Sequence, residues 1–237
     1  MMATPTFEES SESMSEDGIG DQKFYSDAAK YWEAVPSTVN GVMGGLGRIS
    51  STDVAGSRKF LLPFIQGEGA TVSPNRALDC GAGIGRISKR LLVPLFAQVD
   101  LVEQNPAFLE QAKTYLGDRA GKIGAYYPVG LQGFTPQEDH YDVIWNQWVL
   151  SHLTDDDLVS YFQRCSQGLT PDRGLIIAKE NIASDDEDVP DEDDSSVTRC
   201  RESFLRVFER SGLSVVREMD QEGFPPELFK VTMFALR

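Results

Sequence analysis

Long apolar runs are missing from this 237-residue chain. No stretch approaches the roughly 20 residues a helix needs to span a bilayer, so a helical membrane protein is not expected. Cysteine is scarce: Cys80, Cys165 and Cys200 are widely spaced and form no CxxC pair. Neither a disulfide framework nor a zinc site is therefore expected, and a reducing compartment fits. Two histidines, His140 and His152, leave little material for a metal centre, and none is expected. The opening MMATPTFEESSESMSEDG lacks the basic start and apolar core of a secretory signal and the arginines of a transit peptide. Bases are also short, with 22 Lys and Arg against 37 Asp and Glu and a net charge of −15. The excess sits in two places. Residues 1–22 hold six acids and residues 185–194 hold eight, with no Lys or Arg in either, so the rest is near neutral. No basic stripe offsets repulsion from phosphate, which argues against direct binding of nucleic acid. A cationic partner or substrate is the expectation.

What is present is alternation. Residues 1–21 are polar and acidic, the composition of a disordered tail. Phe24, Ala28, Tyr31, Trp32 and Val35 recur at helical spacing up to Pro36. Asn40 to Gly47 is turn-rich. SSTDVAGSRKFLLPFI reads as a second helix, with Ser51 or Thr52 as its cap and Asp53 in its first turn. Strand-like segments then alternate with helices: RALDCG, GRISKRLLVPLF, QVDLVEQN, PAFLEQAKTYLG, YYPVGLQGF, YDVIWNQW, TDDDLVSYFQRCSQG and GLIIAKEN. Thr154 is placed to cap the helix that opens with three aspartates. SSVTRCRESFLRVFERSG follows as an amphipathic helix, and LSVVREMD and FKVTMFALR as a closing antiparallel pair. The pattern predicts an α/β fold with a mostly parallel sheet covered on both faces. Function in such sheets gathers outside the C-terminal ends of the strands. The acidic stretch DDEDVPDEDDSSVTR, Asp185 to Arg199, directly follows the fifth of those ends.

The segment LDCGAGIGRIS carries Gly81, Gly83 and Gly85. Its backbone must turn tightly and let a ligand approach closely. The dinucleotide fingerprint GxGxxG would need glycine where Arg86 stands, so that template fails. The pattern, acid-x-Gly-x-Gly-x-Gly, resembles motif I of the class I S-adenosylmethionine-dependent methyltransferases. In that family the acid ending the second strand binds the ribose hydroxyls. Glu103, at the end of VDLVE, matches it, and an ionised carboxylate accepts two hydroxyl donors well. Leu131 is placed to cover adenine, Gln132 to bond its edge, and Gln147 to face the cofactor's amino-acid part. The Asp/Asn-Pro-Pro-aromatic signature of DNA amino-methyltransferases is absent from NQWV.

Beyond motif I, the segments YWEAVP, GVMGGLG, ALDCGAGIGRISKRLL, YDVIWNQWVLSHLTD, KEN and DSSVTR resemble the protein α-N-terminal methyltransferases, over about residues 23–237. These enzymes methylate the free α-amine of proteins beginning Xaa-Pro-Lys. The resemblance implies a single Rossmann-like domain over 22–237 with a seven-stranded sheet, residues 22–70 forming a helical extension over the site. It implies S-adenosyl-L-methionine as methyl donor, with S-adenosyl-L-homocysteine left as product. Gly81, Gly83, Arg86, Glu103, Gln104, Asn105, Leu131, Gln132 and Gln147 would meet that cofactor. Trp32, Met43, Trp148, Asn181, Asp191 and Ser196 would meet the peptide, with Asp191 near the substrate lysine. Asp194 and His152 would sit at the α-amine. The resemblance further implies ribosomal or chromatin-associated protein targets, a monomer, and a location in cytoplasm and nucleus. Glu180 stands where the family usually has Asp, Asn146 where Ile is common, and Phe229 where a channel tyrosine is found.

The chemistry asks for little. Methyl transfer from a sulfonium needs a neutral amine, and an α-amine has an ordinary pKa of about 7.7–8.0. A modest base and good alignment suffice. Asp194 and His152 can each serve, and the sequence does not divide the work between them. Blander roles stay open at this stage. His152 could pack or cap, Trp32 and Trp148 could be core aromatics, and Asp194 with Ser195 and Ser196 could cap the next helix. Two other functions also remain: a methyltransferase of small amines or side chains, and a non-catalytic acidic protein that binds basic partners.

Overall fold

The computed structural model describes the backbone of residues 16–237 and side chains from Gly20 onward. Most of the tail expected over 1–21 lies outside the described residues, but a helix, α1 (Glu16–Ala34), begins within it. Pro36, two residues past its end, cannot continue it. Helix α2 (Ser50–Ile65) follows a short 3₁₀ turn, Gly47–Ile49. Its cap position is Ile49, with no side-chain cap bond, so neither Ser51 nor Thr52 has the expected role.

Seven strands make one sheet: β1 (Arg76–Cys80), β2 (Gln98–Val102), β3 (Ile123–Tyr127), β4 (Val143–Gln147), β5 (Leu175–Ile182), β8 (Val215–Asp220) and β9 (Lys230–Leu236). Their order is β3-β2-β1-β4-β5-β9-β8. Pairings from β3 through β5 are parallel, and β9 runs antiparallel to both β5 and β8. The expected mostly parallel, seven-stranded sheet is thus observed. GLQGF belongs to the turn after β3, not to the strand. Strand order reverses between β1 and β4, the switch point at which such sheets open a crevice beyond their carboxyl ends.

Side chains alternate across each strand and supply two cores. Leu78, Cys80, Ile144 and Ile176 face α5 (Asp155–Gly168) and α6 (Arg201–Arg210) through Phe162, Phe204 and Phe208. Ala77, Val99, Val143, Trp145 and Ile177 face α2 and α4 (Pro106–Leu116) through Phe60, Leu61 and Leu109. Each such buried Leu, Ile or Phe contributes roughly 1.5–3 kcal/mol. Asn146 is a buried polar residue within β4, next to Gln147. Its Nδ2 donates to the Ile177 carbonyl and its Oδ1 accepts from the Tyr161 hydroxyl at 2.7 Å, so replacing the usual Ile leaves no amide group unbonded.

Two local departures from expectation bear on the site. The helix after the glycine loop is wound as a π-turn over Ser88–Leu92 before α3 (Val93–Leu95). Pro94 has no N–H for the Arg90 carbonyl, and its ring crowds that carbonyl, so the coil widens there. The acidic stretch forms a hairpin, β6 (Val189–Asp191) paired with β7 (Ser196–Thr198). Helix α6 starts only at Arg201. Asp194 therefore does not cap a helix. It lies in the hairpin turn beside Ser195, whose φ is +51°.

Candidate active site

The glycine loop is a set of backbone conformations that side chains oppose. Gly81, Gly83 and Gly85 have φ of +67°, +54° and +78°. A Cβ at Gly81 would also lie 2.5 Å from Val149. Asp79, at the end of β1, anchors the loop's far side: its Oδ2 accepts from the Ser88 N–H and hydroxyl at 2.9 and 2.6 Å. Burial pushes its pKa up to about 6, against those hydrogen bonds. Glu103 is buried just past β2. Its Oε2 accepts from Gly83 N at 2.9 Å and its Oε1 from Asn105 N at 2.8 Å. Burial raises its pKa, with the backbone donors pulling the other way. Each oxygen keeps a lone pair for a further donor.

These groups open onto a cavity of about 970 Å³, its open mouth included, at the carboxyl ends of the central strands. Gly81, Gly83, Arg86, Glu103, Gln104, Leu131, Gln132 and Gln147 all line it. The turn carrying Leu131 and Gln132 is pinned by Arg164 of α5, which donates to the carbonyls of Leu131, Gln132 and Phe134 at 2.8–3.1 Å. Asn105, expected to meet the cofactor, is not part of the lining. It caps α4, accepting from Ala107 N at 2.9 Å, and its Nδ2 donates to the Trp32 carbonyl at 3.1 Å. The donor set fits an adenosyl amino acid: a buried acceptor carboxylate from Glu103, open backbone at the loop, and a guanidinium from Arg86 in the wall.

A second cavity, about 1090 Å³ with its mouth, adjoins the first. Met43, Trp148, His152, Asn181, Asp194 and Ser196 line it, as does Phe229. Trp32, Val42, Trp148 and His152 border both cavities. The two chambers therefore meet at a ring of two indoles and an imidazole. Asp191 is not in this wall. Its side chain is exposed and its Oδ1 accepts from Asp193 N within the hairpin.

Two polar atoms of the second chamber are buried with no hydrogen-bond partner among the described residues: Trp148 Nε1 and Asp194 Oδ1. Orphaned buried groups are rare, and each calls for a partner from outside the chain, a ligand or an ordered water. Trp148 is further held at φ +53°, a region bulky residues avoid. What holds it is β5. Trp148 N donates to the Lys179 carbonyl at 3.1 Å, and Val149 N and Leu150 N both donate to Glu180 Oε1 at 2.9 Å. Burial raises the Glu180 pKa to about 7 against these donors.

His152 is committed at both nitrogens. Trp32 Nε1 can only donate and lies 3.1 Å from Nε2, so Nε2 is the acceptor. Nδ1 faces the Ser195 carbonyl at 3.1 Å and so carries the proton. Burial holds the His152 pKa below the ordinary imidazole value, while the Ser195 bond and the charges of Asp194 and Asp191 oppose it. The neutral ring ties helix α1 to the hairpin turn. Arg199 fastens the hairpin's other end, with hydrogen bonds to the Leu150 and Leu153 carbonyls and an ion pair to Asp155 at 2.8 Å. Asp188, which composition makes a solvated loop acid, instead accepts from Cys200 N at 2.7 Å at the head of α6. Burial would raise its pKa, but the Cys200 bond and its neighbours bring it below the ordinary value.

Sequence reasoning missed Asp53, Arg164 and Glu180 as builders of the site. Each is buried or half-buried and acts on backbone or charge partners far along the chain, so no local spacing announces it.

A seven-stranded sheet with this order, a glycine loop at its switch point and an acid ending the second strand define a class I S-adenosylmethionine-dependent methyltransferase. Solved structures agree. The chain superposes with a TM-score of 0.84 on a Leishmania major SAM-dependent methyltransferase, 41% identical, covering 90% of this chain and 83% of that one. The fold alone is also shared with a Haemonchus contortus phosphoethanolamine N-methyltransferase, at a TM-score of 0.72 and 15% identity, over 94% of this chain and 50% of that one. More narrowly, residues 20–237 match the family model described as AdoMet dependent proline di-methyltransferase, and the chain belongs to that family. Its relatives include N-terminal Xaa-Pro-Lys N-methyltransferase 1 of Danio rerio, 51% identical over 92% of this chain and 98% of the relative. The Homo sapiens protein of that name is 48% identical over 94% of this chain and all of the relative.

Proposed function

We propose that this chain transfers methyl groups from S-adenosylmethionine to the free α-amine of protein N-termini beginning Xaa-Pro-Lys. The observation that carries the proposal is the unpartnered, buried Oδ1 of Asp194 in a chamber that meets the glycine-loop cavity at Trp32, Trp148 and His152. Bound in the first cavity, S-adenosylmethionine supplies an electrophilic methyl group for direct displacement. Asp194 faces the incoming amine, orients it and takes its proton, a light task for an α-amine with a pKa of about 7.7–8.0. His152 positions rather than accepts, because Trp32 and Ser195 hold both of its nitrogens. Trp32 and Trp148 wall the junction and keep water from it. Asn181, Ser196 and Met43, which line the second chamber, receive the following residues. Asp191, on the exposed hairpin, meets the lysine side chain from outside the chamber in this proposal. The acidic hairpin also attracts basic N-termini over a longer range.

We extend the proposal to ribosomal or chromatin-associated proteins as targets, met in cytoplasm and nucleus by a monomeric enzyme. Incubation with S-adenosylmethionine and an Xaa-Pro-Lys hexapeptide is expected to raise the peptide's mass by one methylene per transfer, with small amines left unchanged. Turnover of small amines with the peptide untouched would replace this proposal with the alternative, a small-molecule N-methyltransferase.

A further inference from the structure

Asp53 lies on α2, in the segment that covers the sheet, and is fully buried. Its Oδ2 meets Arg86 Nη1 at 2.6 Å. Its Oδ1 accepts from Gln147 Nε2 at 2.8 Å and pairs with Lys179 Nζ at 2.5 Å. Lys179 is spent entirely within the protein, donating also to Ser57, to the Asp53 carbonyl and to Gln221. Gln147 is fixed at its other end, where its Oε1 accepts from Trp145 Nε1 at 3.1 Å. Arg86 differs. Nη1 is the part of its fork hydrogen-bonded among the described residues, to Asp53 and weakly to Ser50. The remaining donors belong to a residue that lines the first cavity, with the guanidinium 5.6 Å from the Trp148 ring centre.

The charges are also unequal. In direct ion pairs one carboxylate meets two buried cations. Asp79 feels Arg86 through space, but its carboxylate is turned onto Ser88. The cluster thus holds a surplus positive charge whose open side is the free edge of Arg86. A ligand carboxylate at that edge would complete a bidentate, charge-assisted pair and balance the cluster.

We infer that Asp53 is a positioning residue for methyl-donor binding: without touching the ligand, it holds Arg86 and Gln147 in the orientation that receives the donor's amino-acid carboxylate. It does so from α2, so docking of the N-terminal helical segment and assembly of the carboxylate subsite are one event. The inference rests on the first cavity being the S-adenosylmethionine site.

Titration calorimetry with two ligands tests it. S-adenosylhomocysteine has the carboxylate; 5′-methylthioadenosine keeps the adenosine and sulfur but lacks the amino-acid part. Asp53→Asn is expected to weaken S-adenosylhomocysteine by about tenfold or more and to leave methylthioadenosine within about twofold. Because that change strands two buried cations, the charge-balanced pair Asp53→Asn with Lys179→Met is measured beside it, and the same selective loss is expected. Equal weakening of both ligands, or no weakening of either, overturns the inference. A parent chain that binds neither ligand overturns the cofactor reading itself, and this inference with it.

Discussion

The two chambers of the site are built by different means. On the glycine-loop side the recognisable parts are local: three glycines with positive φ, and a carboxylate two residues before the asparagine that caps α4. On the peptide side the parts converge from afar. Trp32 meets His152 across 120 positions, His152 meets Ser195 across 43, and the Asp194 turn is closed by strands on either side of it. A wall made of local backbone geometry writes its requirements into neighbouring residues. A wall made by convergence can change one element at a time, which suits the part that chooses a substrate.

If the two sides are separable, single substitutions will split binding from turnover. The largest effect is expected from Asp194→Asn: peptide turnover falls about a thousandfold, the middle of the range general-base contacts supply, while S-adenosylhomocysteine affinity by calorimetry stays within about twofold. Glu103→Ala should do the reverse, weakening S-adenosylhomocysteine by about a hundredfold through loss of two charge-assisted hydrogen bonds. Peptide turnover should then recover in part at saturating cofactor.

The acidic stretch divides in the same way. Asp188→Ala should lower unfolding stability in urea by about 1 kcal/mol, because Asp188 accepts from the backbone N–H of Cys200, the cap residue of α6. Asp186→Ala should change it by less than about 0.5 kcal/mol, as an exposed acid without such a partner.

The smallest effect concerns His152. Its folded pKa is depressed, so its contribution to stability is present above the ordinary value of about 6.5 and is lost as pH falls through the folded value. Protonation also turns Nε2 into a donor facing the Trp32 N–H. Trp32→Phe removes that opposition. Unfolding free energies from urea titrations at pH 7.5 and 5.5 should therefore differ less in the variant than in the parent, by under about 1 kcal/mol. Identical acid losses would show that the Trp32–His152 contact does not set the protonation of this junction.

The contrast also explains what was legible in the sequence. The alternation of strands and helices, the glycine loop, Glu103 and the Thr154 cap could be read because each follows from a spacing of few residues. The hairpin could not. Eight acids in ten residues look like spacer, and no pattern in DSSV distinguishes a helix cap from a hairpin turn until Thr198, Arg199 and Cys200 find their partners. Asp53 was visible as a first-turn helix acid, but its burial between Arg86 and Lys179 depends on where α2 docks. Glu180 is visible in the sequence only as a departure from the family's usual Asp. In the fold it holds the strained Trp148 segment from the neighbouring strand.

The most direct test of the central claim is to locate the methyl group on a hexapeptide that offers both a free α-amine and a lysine at position three. Tandem mass spectrometry of the product should place every added methyl on the α-nitrogen, as the role proposed for Asp194 requires. Methyl groups on the lysine side chain, or equal transfer to a peptide whose α-amine is acetylated, would contradict it.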